Sequence, residues 1–553
     1  MMNNFRNPKK KSVCFLPLGG TGEIGMNCYL YHYDGKWLIV DLGVTFSDQN
    51  IPNADIILPD LQFIIERKND IVGMILTHAH EDHIGGVPYL YENLGNVPIY
   101  TTPFTASVLK RKFTKQNQPN ISTLEYNTNY NLGPFNIEIL ALTHSIPEPN
   151  AILIKTSKIN IFHSGDWKID PLPLVGKPID KTKIEKIKKE TINALICDST
   201  NIFNVTPSGS EQEVRQTLDE VFRKHKHGKI IVTCFASNIA RLETIGFVSK
   251  KHNRSCIFLG RSLKRIYEAA LENNYLNTVP KFLNQDDGKL IPDENTVLVC
   301  TGSQGESRAA LYKLVYGMNP NFSLNKKDLV IFSSREIPGN EKQISKIKNK
   351  ILRSGANFID DKFPKIHVSG HPSQKELEKM YEWVNPELLI PIHGEFSHLF
   401  EHIKFAKRKG IKKTLLVENG DLVQIDKDRP SIIETVKYGR KIIIGNKMFS
   451  KADRVIQNLK NSNINNSVQI VFIINNSDDL VVKPVIFANT IIDDQDVTEN
   501  EKLHKKISNV FYECHSIGIT DEILKNSLKS KVRSVILKDY GIRPLTSIRI
   551  VRI

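Results

Sequence analysis

The stretch Thr77 to His83, with the sequence THAHEDH, decides the fold and the chemistry predicted for this chain. It places three imidazoles and two carboxylates within six residues, shortly after the apolar run IVGMIL at 71–76. The apolar run predicts a buried strand and the pair Gly85-Gly86 begins the next element, so the stretch occupies the turn between them. Side chains that leave a turn can converge, whereas those along a strand point to alternate faces.

Four side chains of this turn are candidate metal ligands. His78 and His80 can face one ion while the adjacent pair Asp82 and His83 faces a second. A mixed set of nitrogen and oxygen donors suits zinc or manganese. Polar loop histidines without a metal are the alternative, but four donors at this spacing favour a binuclear site.

Two metal ions that lie about 3.5 to 4 Å apart need a bridging carboxylate and further ligands. His144, Asp166 and His393 each follow a predicted strand and enter a turn, so they can supply those ligands. Taken singly, each is as well explained by a structural role, but together they complete the set that the turn requires. The predicted ligands are His78, His80 and His144 for the first metal, Asp82, His83 and His393 for the second, and Asp166 as the bridge.

Length and composition set broader limits. A chain of 553 residues predicts two or three domains. The net charge of +15 and the pI near 9.2 favour an anionic partner such as nucleic acid, although many basic proteins bind no polyanion. The seven cysteines are scattered and odd in number, which predicts buried free thiols in a reducing compartment such as the cytoplasm. The longest apolar runs are too short for a membrane span, so neither spanning nor secretion is expected.

The order of predicted elements changes along the chain. Short strands dominate up to about residue 201, after which Ser210-Glu211 starts a helix predicted to run to His227. Strands and helices then alternate, which predicts a parallel α/β unit inserted into the first domain. The predicted boundaries are 1–208 for the first part of the first domain, 209–370 for the insertion, 371–450 for the second part with a linker, and 451–553 for a C-terminal α/β domain.

The metal motifs resemble those of the metallo-β-lactamase superfamily in their order and in their positions at strand ends. The matching residues are Asp41, His78, His80, Asp82, His83, His144 and Asp166. Asp198, His371 and His393 stand in segments that resemble motifs A, B and C of the β-CASP nucleases. Within that group the chain is similar to the ribonuclease J family through most of its first 450 residues. The segments that carry this likeness include GGTGEIGMN (19–27), HSIPE, FASN (235–238), TGSQGE (301–306), HVSGH (367–371) and PIHGE.

The resemblance implies an α/β fold: a metallo-β-lactamase αββα sandwich with an inserted parallel α/β β-CASP domain and a small C-terminal α/β domain. It implies two divalent ions per subunit, with zinc as the first choice and manganese as the alternative. Asp41 is expected to support a ligand or the attacking water by hydrogen bonding, and Asp198 to orient a neighbouring histidine. His371 is expected to donate a proton to the leaving oxygen.

The same resemblance implies RNA as the substrate, degraded from the 5′ end with some internal cutting, in the maturation of rRNA and the decay of mRNA. A 5′-monophosphate is the preferred end. The implied phosphate contacts are Phe235, Ala236, Ser237 and Asn238 in one segment and His367, Val368, Ser369, Gly370 and His371 in the other. A homodimer or homotetramer formed through the C-terminal domain is also expected.

Three other functions compete with this interpretation. A β-CASP DNA nuclease would carry the same metal motifs. A small-molecule metallo-hydrolase would explain the first 200 residues but not the insertion, His371, His393 or the basic excess. An inactive RNA-binding scaffold is disfavoured because every expected ligand is present.

Three other motifs resemble functional sites but are interpreted as structural. The segment 20–25 reads G-x-G-x-x-G with Asp41 downstream, as in dinucleotide-binding domains, but 26–33 predicts a strand where that motif requires a helix. The pair His225 and His227 is assigned to the end of a helix. His398 and His402 are predicted to lie on the surface of a helix.

Overall fold

The computed structural model describes residues 8–46, 54–363, 365–464, 466–488, 490–493, 495–515 and 520–553. The chain forms two compact units, 1–45 with 58–439 and 46–57 with 440–553. All seven cysteines lie in the described parts and are free thiols; six are buried and Cys514 is half-buried. In the same parts, no helix is long and apolar enough to cross a membrane.

The segment after the glycine-rich turn is a strand, as predicted. Cys28–Tyr33 pairs antiparallel with Lys36–Val40 through the turn Asp34-Gly35. Both turn residues have positive φ, 48° and 76°, as a two-residue hairpin of this twist requires. No helix follows the glycines, so the dinucleotide-binding interpretation is excluded.

Two sheets form the sandwich of the first unit. The first sheet has eight strands in the spatial order Ser431–Thr435, Asp421–Gln424, Cys14–Gly19, Cys28–Tyr33, Lys36–Val40, Ile71–Ile75, Ile99–Thr101 and Ile121–Thr123. The second has seven, in the order Lys413–Thr414, Leu388–Ile392, Ala194–Asp198, Asn160–His163, Asn150–Lys155, Phe135–Ala141 and Asn129–Leu132. Phe15 and Tyr31 from the first sheet and Ile152, Ile161 and Ile390 from the second share one buried core.

Helices cover the outer faces of the sandwich. On the second sheet, Tyr381 and Phe405 pack against Leu195 and Leu389. On the first sheet, Phe63 contacts Trp37 with ring centroids 5.4 Å apart. The helices of the sandwich are Gln62–Ile65, Glu81–Ile84, Val87–Leu90, Pro103–Lys110, Lys181–Ile187, Gln374–Val384 and Phe396–Arg408.

The inserted region holds a five-stranded sheet in which all pairs are parallel, as predicted. Its spatial order is Ser255–Leu259, Thr296–Cys300, Ile230–Thr233, Leu329–Phe332 and Asn357–Ile359. Its helices are Glu211–Lys224, Ile239–Lys251, Arg261–Glu272, Gln285–Gly288, Ala310–Val315 and Glu341–Arg353. The first of these begins at the predicted Ser210 cap, which accepts a hydrogen bond from Gln212 N. It ends at Lys224, so it stops three residues before the predicted end.

The second unit has its own core. Ser467–Ile474 lies between Val485–Phe487 and Leu545–Arg552 in a three-stranded sheet. Helices Val497–Cys514 and Asp521–Tyr540 bury Ile507, Phe511, Leu528 and Val532 with the sheet. Other elements of this part are helix Arg454–Ile464 and the strands Arg440–Ile444 and Lys447–Ser450, which form a sheet with Ile56–Pro59. The domain boundaries given above remain predictions.

Candidate metal centre

The THAHEDH stretch follows strand Ile71–Ile75 and turns into the short helix Glu81–Ile84, with His80 as its N-cap residue. Leu42 N donates to His83 O at 2.8 Å, which ties the turn to the end of the neighbouring strand. Gly43 packs so closely that a Cβ there would lie 1.7 Å from Asp82 O. The main chain therefore fixes the direction of these side chains before any ion binds.

Three histidines and one aspartate form the first ligand group. His80 Nδ1 lies 3.0 Å from His78 Nε2 and 3.1 Å from His144 Nε2. The Nε2 atoms of His78 and His144 are each 3.9 Å from Asp166 Oδ2. The four donor atoms lie within 4.8 Å of one another.

The second group contains Asp82, His83, His393 and, again, Asp166. His83 Nε2 lies 3.2 Å from Asp166 Oδ2, and His393 Nε2 lies 3.1 Å from Asp82 Oδ2. His393 follows strand Leu388–Ile392 and has a φ of 52°, a strained conformation that turns its ring towards the first sheet's loops. Asp166 is the residue common to both groups.

The residues fit two divalent ions. Asp166 Oδ2 is fully buried and has no hydrogen-bond partner of good geometry, which is costly for a carboxylate unless a cation takes that place. Donors bound tetrahedrally at about 2.0 to 2.2 Å from zinc lie roughly 3.4 Å from one another. The observed separations of 3.0 to 3.9 Å between neighbouring donors are close to this value.

The two groups differ in their electrostatics. Burial lowers the pKa of His78 and His144, and brings that of His80 to about 4, so these imidazoles are neutral donors. Burial would also lower the pKa of His393, but Asp166 and the other carboxylates around it raise it to about 10. The second group therefore concentrates negative charge that attracts a cation.

Asp41 supports the second group by a hydrogen bond to His83, on the side of the ring away from Asp166. His83 Nδ1 donates to Asp41 Oδ2 at 2.7 Å, which directs His83 Nε2 towards Asp166. Thr77 holds the same carboxylate through its N–H at 2.8 Å and its hydroxyl at 2.9 Å. Asp41 thus contacts a ligand, and it has a φ of 62°.

Asp198 supports His371 in the same way, because His371 Nδ1 donates to Asp198 Oδ2 at 2.8 Å. The side chain of His371 is 23% exposed, whereas that of Asp198 is fully buried. Burial would lower the pKa of His371, but Asp198 and Asp166 raise it.

Thr200 holds the candidate ligand His393. Its hydroxyl accepts a hydrogen bond from His393 Nδ1 and donates one to His393 O at 2.9 Å.

The segment 367–371 touches the metal centre through its glycine. His144 Nδ1 donates to Gly370 O at 2.6 Å. A Cβ on Gly370 would lie 2.7 Å from His144 Cε1, so only glycine fits there. His367, Val368 and Ser369, the other predicted phosphate contacts of this segment, directly precede the glycine that bonds to His144.

The segment 235–238 leads into helix Ile239–Lys251. Phe235 is exposed, Ala236 and Ser237 are half-buried, and Asn238 caps the helix by accepting from Arg241 N at 2.9 Å. The Arg241 guanidinium in turn donates to Ile366 O at 3.5 Å, so this buried arginine bonds both to Asn238 and to the residue that precedes the segment 367–371.

Some sequence interpretations were incomplete or wrong. The sequence assigns no role to Thr77, Thr200 or Asn27, yet each contacts a candidate ligand or its support. Asn27 Nδ2, for example, donates to Asp82 O at 3.1 Å. His402 is not on the helix surface. It is fully buried and bonds to Ser199 and Tyr381, because its side of the helix faces the second sheet.

Three family models match the chain. The model for "Metallo-beta-lactamase superfamily" matches residues 21–145, that for "Ribonuclease J, beta-CASP domain" matches 227–351, and that for "Zn-dependent metallo-hydrolase RNA specificity domain" matches 362–416. A solved structure of a protein of unknown function from Enterococcus faecalis V583 aligns with a TM-score of 0.51 at 16% identity, over 74% of this chain and 99% of that one. That likeness supports the fold alone.

Curated relatives are similar over most of the chain. Ribonuclease J from Sinorhizobium meliloti is 39% identical over 437 residues, which are 78% of this chain and 77% of that protein. Ribonuclease J from Mycolicibacterium smegmatis is 35% identical over 432 residues, 77% of each chain. These findings, with the fold and the ligand geometry, show that the chain belongs to the ribonuclease J family, within the β-CASP group of the metallo-β-lactamase superfamily.

Proposed function

We propose that this metal-dependent ribonuclease degrades RNA from the 5′ end and also cuts it internally, in RNA maturation and decay in the cytoplasm. The observation that carries the proposal is the convergence of six candidate ligand side chains around Asp166, in a chain that also contains the inserted α/β region. A small-molecule hydrolase would need neither that region nor the basic excess of the chain. The similarity to ribonuclease J relatives does not favour the DNA nuclease either.

The proposed ligands are His78, His80 and His144 for one ion, Asp82, His83 and His393 for the other, and Asp166 for both. Zinc is the proposed metal because the donors are mainly imidazoles. When bound, the two ions activate water as the nucleophile and stabilise the charge that builds on the phosphate. Asp41 and Thr200 keep His83 and His393 aimed at the centre.

His371 is the proposed proton donor to the leaving 3′ oxygen. Asp198 fixes its ring through Nδ1 and favours its protonated form, while the exposed part of the ring remains accessible to a substrate. Asp198 acts through His371 and is therefore a positioning residue.

A 5′-monophosphate is proposed to bind between the segments 235–238 and 367–371. Burial lowers the pKa of His367, and the charges of Arg241, Lys168 and Arg335 lower it further. Arg241 is paired with Glu211 at 3.3 Å and Lys168 with Asp170 at 3.4 Å, so Arg335 is the proposed cation for the phosphate. The Asn238 carboxamide oxygen is used by the helix cap, which leaves its Nδ2 group to donate to a phosphate.

Digestion of matched RNA and DNA oligonucleotides tests the proposal. Each is prepared with a 5′-monophosphate, a 5′-triphosphate or a 5′-hydroxyl, and each digestion is repeated after chelation and after readdition of zinc or manganese. We expect mononucleotides from RNA, fastest from the 5′-monophosphate, and none after chelation. Release from DNA but not RNA would refute it.

A homodimer or homotetramer formed through the C-terminal unit is also proposed. Its exposed Phe487 and Tyr512 offer apolar surface for such contacts. Truncation after residue 455 should lower the number of chains per particle measured by light scattering, and an unchanged number would contradict this part of the proposal.

A further inference from the structure

Helix Phe396–Arg408 begins three residues after the metal ligand His393. Its buried side, which includes Leu399 and Ala406, faces the second sheet. Successive residues of a helix are rotated by about 100°, so residues four apart lie on one face. Phe396, Phe400, Lys404 and Lys407 therefore share the opposite, solvent-facing side, and we call these four residues the helix stripe.

The aromatic part of the helix stripe is unusually open. Phe396 is 50% exposed and Phe400 is 45% exposed. Their ring centroids lie 6.1 Å apart and their planes differ by only 13°. Two adjacent, nearly parallel phenyl rings that are each about half exposed form an aromatic surface that flat, apolar groups can contact.

The basic part of the helix stripe consists of Lys404 and Lys407, whose charges are not paired with a carboxylate among the described residues. Lys404 Nζ lies 4.5 Å above the Phe400 ring. Glu401, the acidic residue of this helix, is paired with Arg408 at 3.0 Å. Among the residues that the structure describes, no carboxylate pairs with Lys404 or Lys407, so both ammonium groups can meet a polyanion.

We propose that the helix stripe is a second RNA-binding surface, which holds the single strand as it extends from the metal centre. Bases stack on Phe396 and Phe400, and phosphates contact Lys404 and Lys407. Aromatic rings interleaved with unpaired basic groups are typical of single-strand binding without sequence preference. A protein partner would need apolar area but not the uncompensated lysines. This inference rests on the proposed function.

The test is the double variant Phe400→Ala/Lys404→Ala of the full chain, with RNAs that share a 5′-monophosphate and increase in length. Loss of one stacked base and one phosphate contact should raise KM for long RNAs by about tenfold or more, with a smaller effect on short RNAs and on kcat. Lys404→Gln alone should lessen the salt dependence of RNA binding. Tyr316→Ala is the matched control, since Lys350 Nζ lies 5.8 Å above that exposed ring in the inserted region.

Each outcome is decisive. A KM equal to that of the unaltered protein at every length would overturn the inference, as would an equal loss in Tyr316→Ala. A changed mass in solution with unchanged RNA binding would identify the helix stripe as a protein contact instead. If the unaltered protein cleaves no RNA, the proposed function fails, and fluorescence anisotropy with the same RNAs and variants still tests the stripe.

Discussion

Two aspartate–histidine pairs flank the metal centre and differ in one respect. Asp41 holds His83 and Asp198 holds His371, each through Nδ1 and at 2.7 and 2.8 Å. His83 is 2% exposed and its Nε2 faces Asp166, whereas His371 is 23% exposed. The same chemical pair therefore holds the proposed ligand His83 where it is buried and the proposed proton donor His371 where it is partly exposed. Burial, not residue type, separates the two roles.

The largest expected effect is the loss of a ligand. His83→Ala should reduce cleavage to background and lower the bound metal from two ions to one or fewer per chain, because the second group loses a donor. Elemental analysis and RNA digestion measure the two quantities. Asp180→Ala, at an exposed helix cap, is the control. An active variant with two ions would contradict the ligand assignment.

His371→Ala should act on the chemical step alone. We expect kcat to fall by about 10² to 10⁴ while two ions remain bound, since general acids contribute that much. A substrate with sulfur at the leaving 3′ position needs no proton and should restore most of the rate. Equal losses with both substrates would argue for a structural role.

Substitution of the two aspartates should have different effects on metal binding. Asp41→Asn and Asp198→Asn should each cost about 10- to 100-fold in affinity or activity, as is typical of residues that orient a functional group. Asp41→Asn should weaken metal binding, measured by competition with a chelator, and Asp198→Asn should lower kcat at constant metal affinity. The same phenotype in both variants would remove the distinction between the pairs.

Substitution of Thr77, which donates to Asp41, should have the smallest effect. Thr77→Val removes a hydroxyl that donates to Asp41 at 2.9 Å but keeps the N–H at 2.8 Å. We expect the free energy of unfolding to fall by about 1 kcal/mol, the usual net value of one hydrogen bond. Urea denaturation of the metal-free protein measures this, with Thr182→Val on the exposed helix Lys181–Ile187 as the control. An unchanged midpoint would show that the N–H alone holds Asp41.

Much of the fold was predictable because its elements carry local signals. The hairpin at Asp34-Gly35, the Ser210 cap and the alternation after it each depend on residues that lie close in sequence. His402 was predicted wrongly because helical spacing shows which residues share a face but not which face is buried. The roles of Thr77, Asn27 and Thr200 were missed for a related reason. Hydroxyls and amides have no pattern of their own until a partner is placed beside them.

The sequence by itself determined the types of the candidate ligands, their places at strand ends and the family resemblance, because these depend on residue identity and short spacing. Only the tertiary structure brought Asp166 within 3.9 Å of five histidines from distant segments, left its Oδ2 without a hydrogen-bond partner of good geometry, and buried His83 while leaving His371 partly exposed. Those facts depend on how two sheets and an inserted region pack. Packing distances and burial are set by the whole chain, so no short stretch of sequence contains them.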